Sequence, residues 1–357
     1  MKVLILSHTR EFSNFKIGSH HYANGLSERG YDVTFIGTPF TLVHRILNRK
    51  EKEGVRQVDE SVKILSPKFI FPIKNKQAKI FNWINYIVCK FTLNVEFYDV
   101  VICDNPYFSP YLPLFSYDFL IYRPTDDYHH FDGEVSLAYE QNIIQKANLV
   151  IPTSDSVKKS IQQRFAFKQD SFVLENGYDA SLFHNSSCTE RNGSVYIGAI
   201  DKRFDFGALK ILLKEYPTDA FHLYGPISND CLTETQVLKS AFGNIRFHGP
   251  VDYSNTPRIM REARIGLLTL SAHPSNVGRS PMKLWEYAAS GLPVLYSNIN
   301  LDDKEYDFLY GYKSKEQLIE KYKKAREYQP SEISLGRISE HSWSRKIDII
   351  EEYINKR

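Results

Sequence analysis

The chain has 357 residues, 42% hydrophobic and 24% charged, with a formal net charge of +3. That length exceeds one small core and suits two domains of about 150–180 residues each. The composition is that of a soluble globular protein, and the charge is too small to point to nucleic acid as a partner. Cys89, Cys103, Cys188 and Cys231 are widely spaced and form no C-x-x-C, so they read as reduced thiols and not as a disulfide frame or a zinc site. Met1–Ser7 is apolar but breaks off at His8, so no signal peptide is read there. No stretch reaches the roughly 18 uninterrupted apolar residues of a membrane-spanning helix. A cytoplasmic protein is the expectation.

In chain order, Lys2–Ser7 is a short apolar run fit for a buried parallel strand. A loop to Ser19, a helix over His20–Arg29 capped by Gly30, and a second strand over Tyr31–Gly37 complete a βαβ start. Val100–Cys103, Leu120–Tyr122 and Leu149–Thr153 predict further strands, with a helix over Ser154–Phe165 and another strand over Ser171–Leu174. The first domain is read as residues 1–177. Val195–Gly198, Phe221–Tyr224, Ile245–His248, Ile265–Leu270 and Val294–Ser297 alternate with helices in a second domain, 178–338. Trp343, Ile347, Ile350 and Ile354 recur at helical spacing in Ser339–Arg357. The whole reads as α/β, two Rossmann-like domains facing an interdomain cleft. Ligands of open α/β sheets bind at the carboxyl ends of strands.

Ser61–Val95 departs from the average composition. It holds six Lys and no Asp or Glu, interleaved with Phe69, Phe71, Phe81, Trp83, Tyr86 and Phe91. Lys with Trp and Phe on one helix, here over Gln77–Asn94, suits a membrane surface or a lipid acceptor. The same composition suits a core helix with solvated lysines.

Asn276–Asn298, NVGRSPMKLWEYAASGLPVLYSN, carries the most chemistry. It reads as loop, helix, Gly break and strand, with Pro281 near the helix start and Gly291 and Pro293 closing it. A basic loop opening onto a helix N-terminus is a place for a phosphate, because free N–H groups and the dipole favour an anion. Arg279, Lys283 and the backbone N–H near Met282 are the candidate diphosphate ligands, with Lys202 and Arg203 after the Val195–Gly198 strand. Lys202 and Arg203 also fit a solvated loop. A cation at a helix start opposes the dipole unless an anion is present, which favours a function for Lys283. Glu286, one turn in, can accept two hydrogen bonds from a diol such as a ribose. Asp126 and Asp127, in IYRPTDDYHHFDG, follow a strand. Adjacent carboxylates can raise one another's pKa, which suits a general base, while an N-cap pair is the structural alternative. No His, Asp or Glu cluster has metal-ligand spacing, so no metal or other cofactor is expected.

The motif segment resembles the nucleotide-sugar motif of GT-B glycosyltransferases with a P-x-K-x-x-E-Y-x-A-x-G-x-P-V pattern, matched by Pro281, Lys283, Glu286, Tyr287, Ala289, Gly291, Pro293 and Val294. Glu175–Phe183 is similar to the family's interdomain signature, and Ser194–Asp205, Phe221–Pro226 and Asn244–Tyr253 to strands and loops of its C-terminal domain. Within the family the likeness is strongest to the membrane-associated, inverting glucuronosyltransferase of xanthan assembly. The resemblance implies a GT-B fold whose final helix, 339–357, crosses back to the first domain. It implies a nucleotide-sugar donor held without a metal, Glu286 on the ribose, and a base at Asp126 first and Asp127 second. Gly18, His20 and His21 would then line the acceptor cleft, although as bare residues the His pair suits a helix end or packing. Gly278 stands eight residues before Glu286, where an E-x7-E subset of the family has a second Glu. That absence and a carboxylate base both favour inversion.

The resulting expectation is transfer of a sugar, from a UDP sugar in first place, to a saccharide or lipid-linked acceptor in bacterial capsule, exopolysaccharide or lipopolysaccharide assembly. Such an enzyme would be cytoplasmic or peripheral on the inner face of the membrane. The sugar and acceptor stay open; Ser271–Val277 is the candidate determinant of donor choice. A non-catalytic sugar-nucleotide or glycan-binding protein of the same fold, and a UDP-sugar epimerase, are the alternatives.

Overall fold

The computed structural model describes all residues except 48, 50–53, 75–77, 167, 186–189, 277, 302–305 and 357. The readings at Lys76, Gln77, Cys188 and Val277 lie outside the described residues. The chain divides into two units, Met1–Glu175 with Ile347–Arg357, and Asn176–Lys346.

Unit 1 runs β1 (Lys2–Leu6), β2 (Phe12–Ser13), α1 (Gly18–Glu28), β3 (Asp32–Ile36), α2 (Leu42–Ile46), β4 (Val55–Arg56), β5 (Lys63–Ile64), α3 (Ala78–Thr92), β6 (Phe97–Cys103), β7 (Ser116–Tyr122), α4 (Tyr128–Asp132), α5 (Glu134–Lys146), β8 (Leu149–Val150), α6 (Asp155–Arg164) and β9 (Asp170–Ser171). Its seven-stranded sheet has the order β5-β3-β1-β6-β7-β8-β9, with parallel pairs throughout. Parallel strands covered on both faces need continuous apolar runs, which is why Val3–Leu6 and Val100–Cys103 are buried along their whole length. β6 and β7 begin earlier than those runs predict. Their pairing continues back to Phe97↔Ser116, where burial alternates and the apolar signal is diluted.

Unit 2 runs β10 (Ser194–Ile197), α7 (Phe206–Glu215), β11 (Phe221–Tyr224), α8 (Leu232–Ala241), β12 (Ile245–Gly249), α9 (Thr256–Glu262), β13 (Ile265–Thr269), α10 (Met282–Ala289), β14 (Val294–Ser297), β15 (Leu309–Gly311), α11 (Lys315–Arg326) and α12 (Glu332–Ser339), with α13 (Trp343–Asn355) starting here and ending in unit 1. The sheet order is β12-β11-β10-β13-β14-β15, all parallel. In each unit the first strand lies between two runs of later strands, β3 and β5 against β6–β9 in unit 1 and β11 and β12 against β13–β15 in unit 2. The strand order therefore reverses beside β1 in unit 1 and beside β10 in unit 2, and such a switch point opens a crevice at the carboxyl ends of the strands.

The stretch read as one helix over Ser339–Arg357 is two pieces. Between them the Tyr178 N–H donates to the His341 carbonyl at 3.1 Å and the Trp343 N–H to the Tyr178 carbonyl at 2.9 Å, and the His341 ring stacks on Trp285 at 3.4 Å. Those bonds keep His341 and Trp343 in unit 2, so the segment that joins unit 1 starts at Ile347 and not at Ser339. Ile347 then packs into α1, where Gly25 leaves room: a Cβ there would meet its Cδ1 at 2.2 Å. Arg29 pairs with Asp348, and the Tyr31 hydroxyl donates to Glu351 at 3.0 Å. Cys89, Cys103 and Cys231 are free and buried.

Candidate functional sites

In unit 2 the switch point brings together the loop after β10, the end of β13 and the loop before α10. The Ser271 N–H donates to the Arg203 carbonyl at 2.8 Å, and the Ser271 hydroxyl to the Lys202 carbonyl at 2.7 Å. Buried Asn276 ties the third segment in. Its amide donates to the carbonyls of Arg203 and Ser271 at 3.0 and 2.9 Å, while its Oδ1 accepts from Arg279 at 3.3 Å. Asn276 has no periodic or compositional signature of its own, so the sequence placed it only within Ser271–Val277 and at the start of the motif segment; its place just before a basic loop was the available signal.

Arg203 and Arg279 both act on Asp201. Burial alone would raise that carboxyl, but hydrogen bonds from Arg203 and the charges of both arginines outweigh it and hold the carboxyl below its usual range. Arg203 grips Asp201 through Nε at 2.9 Å and Nη2 at 2.6 Å. Lys202 points elsewhere, pairing with Asp230 at 2.9 Å with both side chains exposed.

Tyr287 fixes α10 onto this end of the sheet. Its hydroxyl accepts from the Ile197 N–H at 2.8 Å, and its ring packs where Gly266 has no side chain: a Cβ there would lie 2.5 Å from the ring. Gly278, in the loop before the helix, has φ +79°, a left-handed conformation that favours glycine. Asn176 anchors the same loop, its N–H and amide donating to the hydroxyl and carbonyl of Ser280 at 2.9 Å. Pro281 is the N-cap and offers no side-chain cap, and the first turn holds no acidic residue. Among the described residues no side chain caps the first-turn N–H groups at Met282 and Lys283, which is the condition for binding an anion. At the other end Gly291, at φ +78°, ends the helix as the sequence predicts.

Glu286 is fully buried. One oxygen accepts from the Tyr253 hydroxyl at 3.2 Å and the other pairs with Lys283 at 2.5 Å. Burial, then the carboxylate's charge, pushes the Tyr253 phenol far up, so it stays a donor. The anion that offsets Lys283 at the helix start is therefore Glu286, and the dipole argument for a phosphate at Lys283 loses its force. A carboxylate has about four lone-pair sites, so two bonds leave acceptor capacity for a diol. Tyr253, remote in sequence from the motif, was not singled out.

In unit 1 the polar residues gather at the ends of β1, β6 and β7. Asp104 follows β6 and Arg123 follows β7; they form a buried ion pair at 2.8 Å, with Arg123 also over the Tyr22 ring at 4.9 Å. His8 follows β1. Burial lowers its pKa, against the opposing charges of Asp104 and Asp126. Its Nδ1 is buried without a partner among the described residues. His8 marks the carboxyl end of the first strand and was read only as the place where the apolar run stops.

The two acidic candidates separate. Asp127 is buried; it caps α4 by accepting from the His129 N–H at 3.2 Å, pairs with Arg164 at 2.8 Å and His130 at 2.9 Å, and accepts from Ser160. Burial would raise its pKa, but the Ser160 and Arg164 bonds and the Arg164 charge prevail and lower it. The expectation that adjacency raises a carboxyl fails at Asp127, which is a cap and an ion-pair partner. Asp126 is half-buried and accepts from the Thr125 hydroxyl at 3.2 Å.

Gly18 opens α1 and is buried. His20 is also buried and bonds backbone on both sides: Nδ1 accepts from the Ile17 N–H at 3.1 Å and Nε2 donates to the Arg10 carbonyl at 2.9 Å. With both ring nitrogens engaged, His20 pins the start of α1 and has none left for an acceptor. Burial pulls its pKa down to about 4 and that of His21 well below the ordinary value. Among the described residues no group of three or more His, Cys, Asp or Glu is placed to hold a metal ion.

Residues 207–350 match a family model described as glycosyl transferase-like. Over 208 residues the chain is 27% identical to TuaH of Bacillus subtilis (strain 168), whose name assigns it to teichuronic acid biosynthesis as a glycosyltransferase. The match covers 52% of each, so the chain spans about half the length of the curated relative. The sucrose-phosphate synthase structure from Thermosynechococcus elongatus superposes with a TM-score of 0.72 at 12% identity, covering 100% of this chain and 99% of that one. The structure of Anabaena HepE in complex with UDP-glucose superposes with a TM-score of 0.69 at 14% identity, covering 100% of both. The fold is α/β with two Rossmann-like parallel sheets and matches GT-B structures, and residues 207–350 match the glycosyl transferase-like model.

Proposed function

We propose that the protein is a glycosyltransferase of bacterial cell-surface polymer assembly, taking its sugar from a nucleoside diphosphate sugar, with a UDP sugar in first place. The observation that carries this reading is buried Glu286, held by Lys283 and Tyr253 one turn inside a helix whose N-cap residue, Pro281, makes no side-chain cap. That arrangement suits a ribose diol and a diphosphate a helical turn apart. The UDP-glucose in the HepE structure supports the donor class, and the name of TuaH supports the setting.

On this reading Arg203, Arg279 and the N–H groups at Met282 and Lys283 hold the diphosphate without a metal, and Glu286 holds the ribose. Lys202, paired and exposed, takes an outer place. Asp126 removes the proton from an acceptor hydroxyl as its oxygen attacks the anomeric carbon. The bond to the diphosphate breaks, and the leaving group departs with its charge met by the arginines. Asp127 orients the segment. A displacement of this kind inverts the anomeric centre, in keeping with the likeness to the xanthan-assembly enzyme. Gly18 and His21 stay as acceptor-side candidates, and a lipid-linked saccharide is the acceptor class.

The test is UDP release from a panel of UDP sugars, with and without lipid-linked acceptor extracts, for wild type, Asp126→Asn and Asp127→Asn. Acceptor-dependent release, lost in folded Asp126→Asn, is expected. Release that persists in Asp126→Asn would remove the base from this account. A UDP sugar converted to its epimer without acceptor would replace the transferase reading altogether.

A further inference from the structure

The helix α3 is turned outside in. Its buried positions include two asparagines, Asn82 and Asn85, beside Cys89. Asn85 accepts from the Ile70 and Phe71 N–H groups at 2.9 Å and donates to the Phe71 carbonyl at 2.8 Å. Asn82 donates to the Tyr139 hydroxyl at 2.9 Å and accepts from that of Tyr111 at 2.8 Å. The opposite face is apolar and open to water: Ile80 is 61%, Trp83 61% and Phe91 82% exposed, with half-buried Ile84 and Ile87 between them. At 3.6 residues per turn, Ile80, Ile84, Ile87 and Phe91 form one stripe about 16 Å long. Exposed Trp83, Lys79 and Lys90 lie along one side of it.

A second exposed apolar segment hangs from the same support. The Leu42 and Val43 N–H groups of α2 donate to the carbonyls of Phe69 and Ile70, in the segment that Asn85 clamps. α2 and the residues after it expose Leu42, Ile46 and Leu47 together with Arg45 and Arg49.

We infer that α3, with α2 beside it, is the surface by which unit 1 docks on an anionic lipid membrane. Charge decides between a membrane and a protein partner. Residues 61–95 contain no Asp or Glu, the exposed charges on α3 are Lys79 and Lys90, and Trp83 lies beside them as an interfacial ring would. At 15 residues α3 is about 22 Å long, shorter than the roughly 30 Å hydrocarbon core, so it lies in the surface. Among the described residues no helix is long and apolar enough to cross a membrane. The inference deepens the transferase reading and rests on it for its purpose, which is to meet a lipid-linked acceptor where that lipid resides.

The protein carries its own reporter. Of its three tryptophans, Trp285 is 3% and Trp343 4% exposed, so added lipid reaches Trp83 alone. Full-length protein is mixed at low salt with vesicles of phosphatidylglycerol and phosphatidylcholine, and with phosphatidylcholine alone. The expected result is a blue shift and quenching by brominated lipid with the anionic vesicles only. Ile80→Ser with Phe91→Ser should weaken partitioning by at least about tenfold. Lys79→Gln with Lys90→Gln should remove the preference for anionic lipid. An unshifted spectrum with protein left in the supernatant overturns the inference. So does a dimer that Ile80→Ser with Phe91→Ser dissociates, since the face would then bind a second copy. A UDP thermal shift on the same preparation separates the two readings: a shift without vesicle binding sinks only the membrane surface, and vesicle binding without a shift only the transferase.

Discussion

The Lys283–Glu286 pair gives a prediction about stability that does not depend on the substrate. Glu286 has a side chain 1% exposed and Lys283 one 22% exposed, so the two partners respond differently to loss of the other. Lys283→Met strands a buried carboxylate, with only the Tyr253 hydroxyl left to face it. Breaking a buried pair this way costs about 3–5 kcal/mol. Glu286→Gln keeps the shape and an acceptor for Tyr253, and the released lysine can turn to water, so it should cost about 1–2 kcal/mol. The double variant removes both charges and should fall near Glu286→Gln, so the coupling should be about as large as the Lys283→Met cost, about 3–5 kcal/mol. For a unit of this size each kcal/mol moves the melting point by about 2–4 °C, so Lys283→Met should melt on the order of 10 °C below wild type. Urea denaturation and calorimetry of the four proteins measure the cycle. Additivity within about 0.5 kcal/mol, or a Lys283→Met cost under about 1 kcal/mol, would refute the claim that the lysine neutralises a buried carboxylate.

Three further outcomes are expected. Asp127→Asn should destabilise by about 2–4 kcal/mol, because it uncaps α4 and leaves Arg164 without its closest carboxylate, whereas Asp126→Asn should cost under about 1 kcal/mol; chemical denaturation of both separates the structural carboxyl from the candidate base. His20 has a folded pKa of about 4, below the unfolded value, so its contribution is present above about pH 6.5 and is lost as pH falls through 4. Wild type should therefore lose up to about 3 kcal/mol more than His20→Gln between pH 7.5 and 4, and parallel pH profiles would count against the buried, neutral ring. Gly266→Ala should cost about 1–3 kcal/mol in thermal unfolding, because its Cβ would enter the Tyr287 ring that holds α10.

Much of the architecture could be read directly. Runs such as Val3–Leu6 are apolar end to end because parallel strands are buried on both faces, and Gly291 closes α10 because only a left-handed residue fits there. Strand starts at Phe97 and Ser116 were hidden by alternating burial. The site was legible where chemistry is local, as in the order Arg279, Lys283, Glu286 along one loop and helix. It was illegible where a partner arrives from far along the chain. Tyr253 reaches Glu286 across 33 positions, Asn276 reaches Arg203 across 73, and Arg164 reaches Asp127 across 37. Those partners changed the roles: Lys283 is already neutralised, Asp127 is a cap, and His20 pins a helix. For Asp127 and the His pair the sequence had offered a cap and a helix end as alternatives, but choosing between the readings needed burial and bonds made at long range.

The central claim is that the loop before α10, with Glu286 behind it, holds the diphosphate and ribose of a donor nucleotide. Calorimetric titration of UDP into wild type, Arg279→Ala and Glu286→Ala tests it most directly. The account predicts saturable UDP binding by wild type that weakens about tenfold or more in each folded variant, since each loses a hydrogen bond to a charged group worth about 1.5–3 kcal/mol. Absence of UDP binding by folded wild type, or equal affinity in all three proteins, would contradict it.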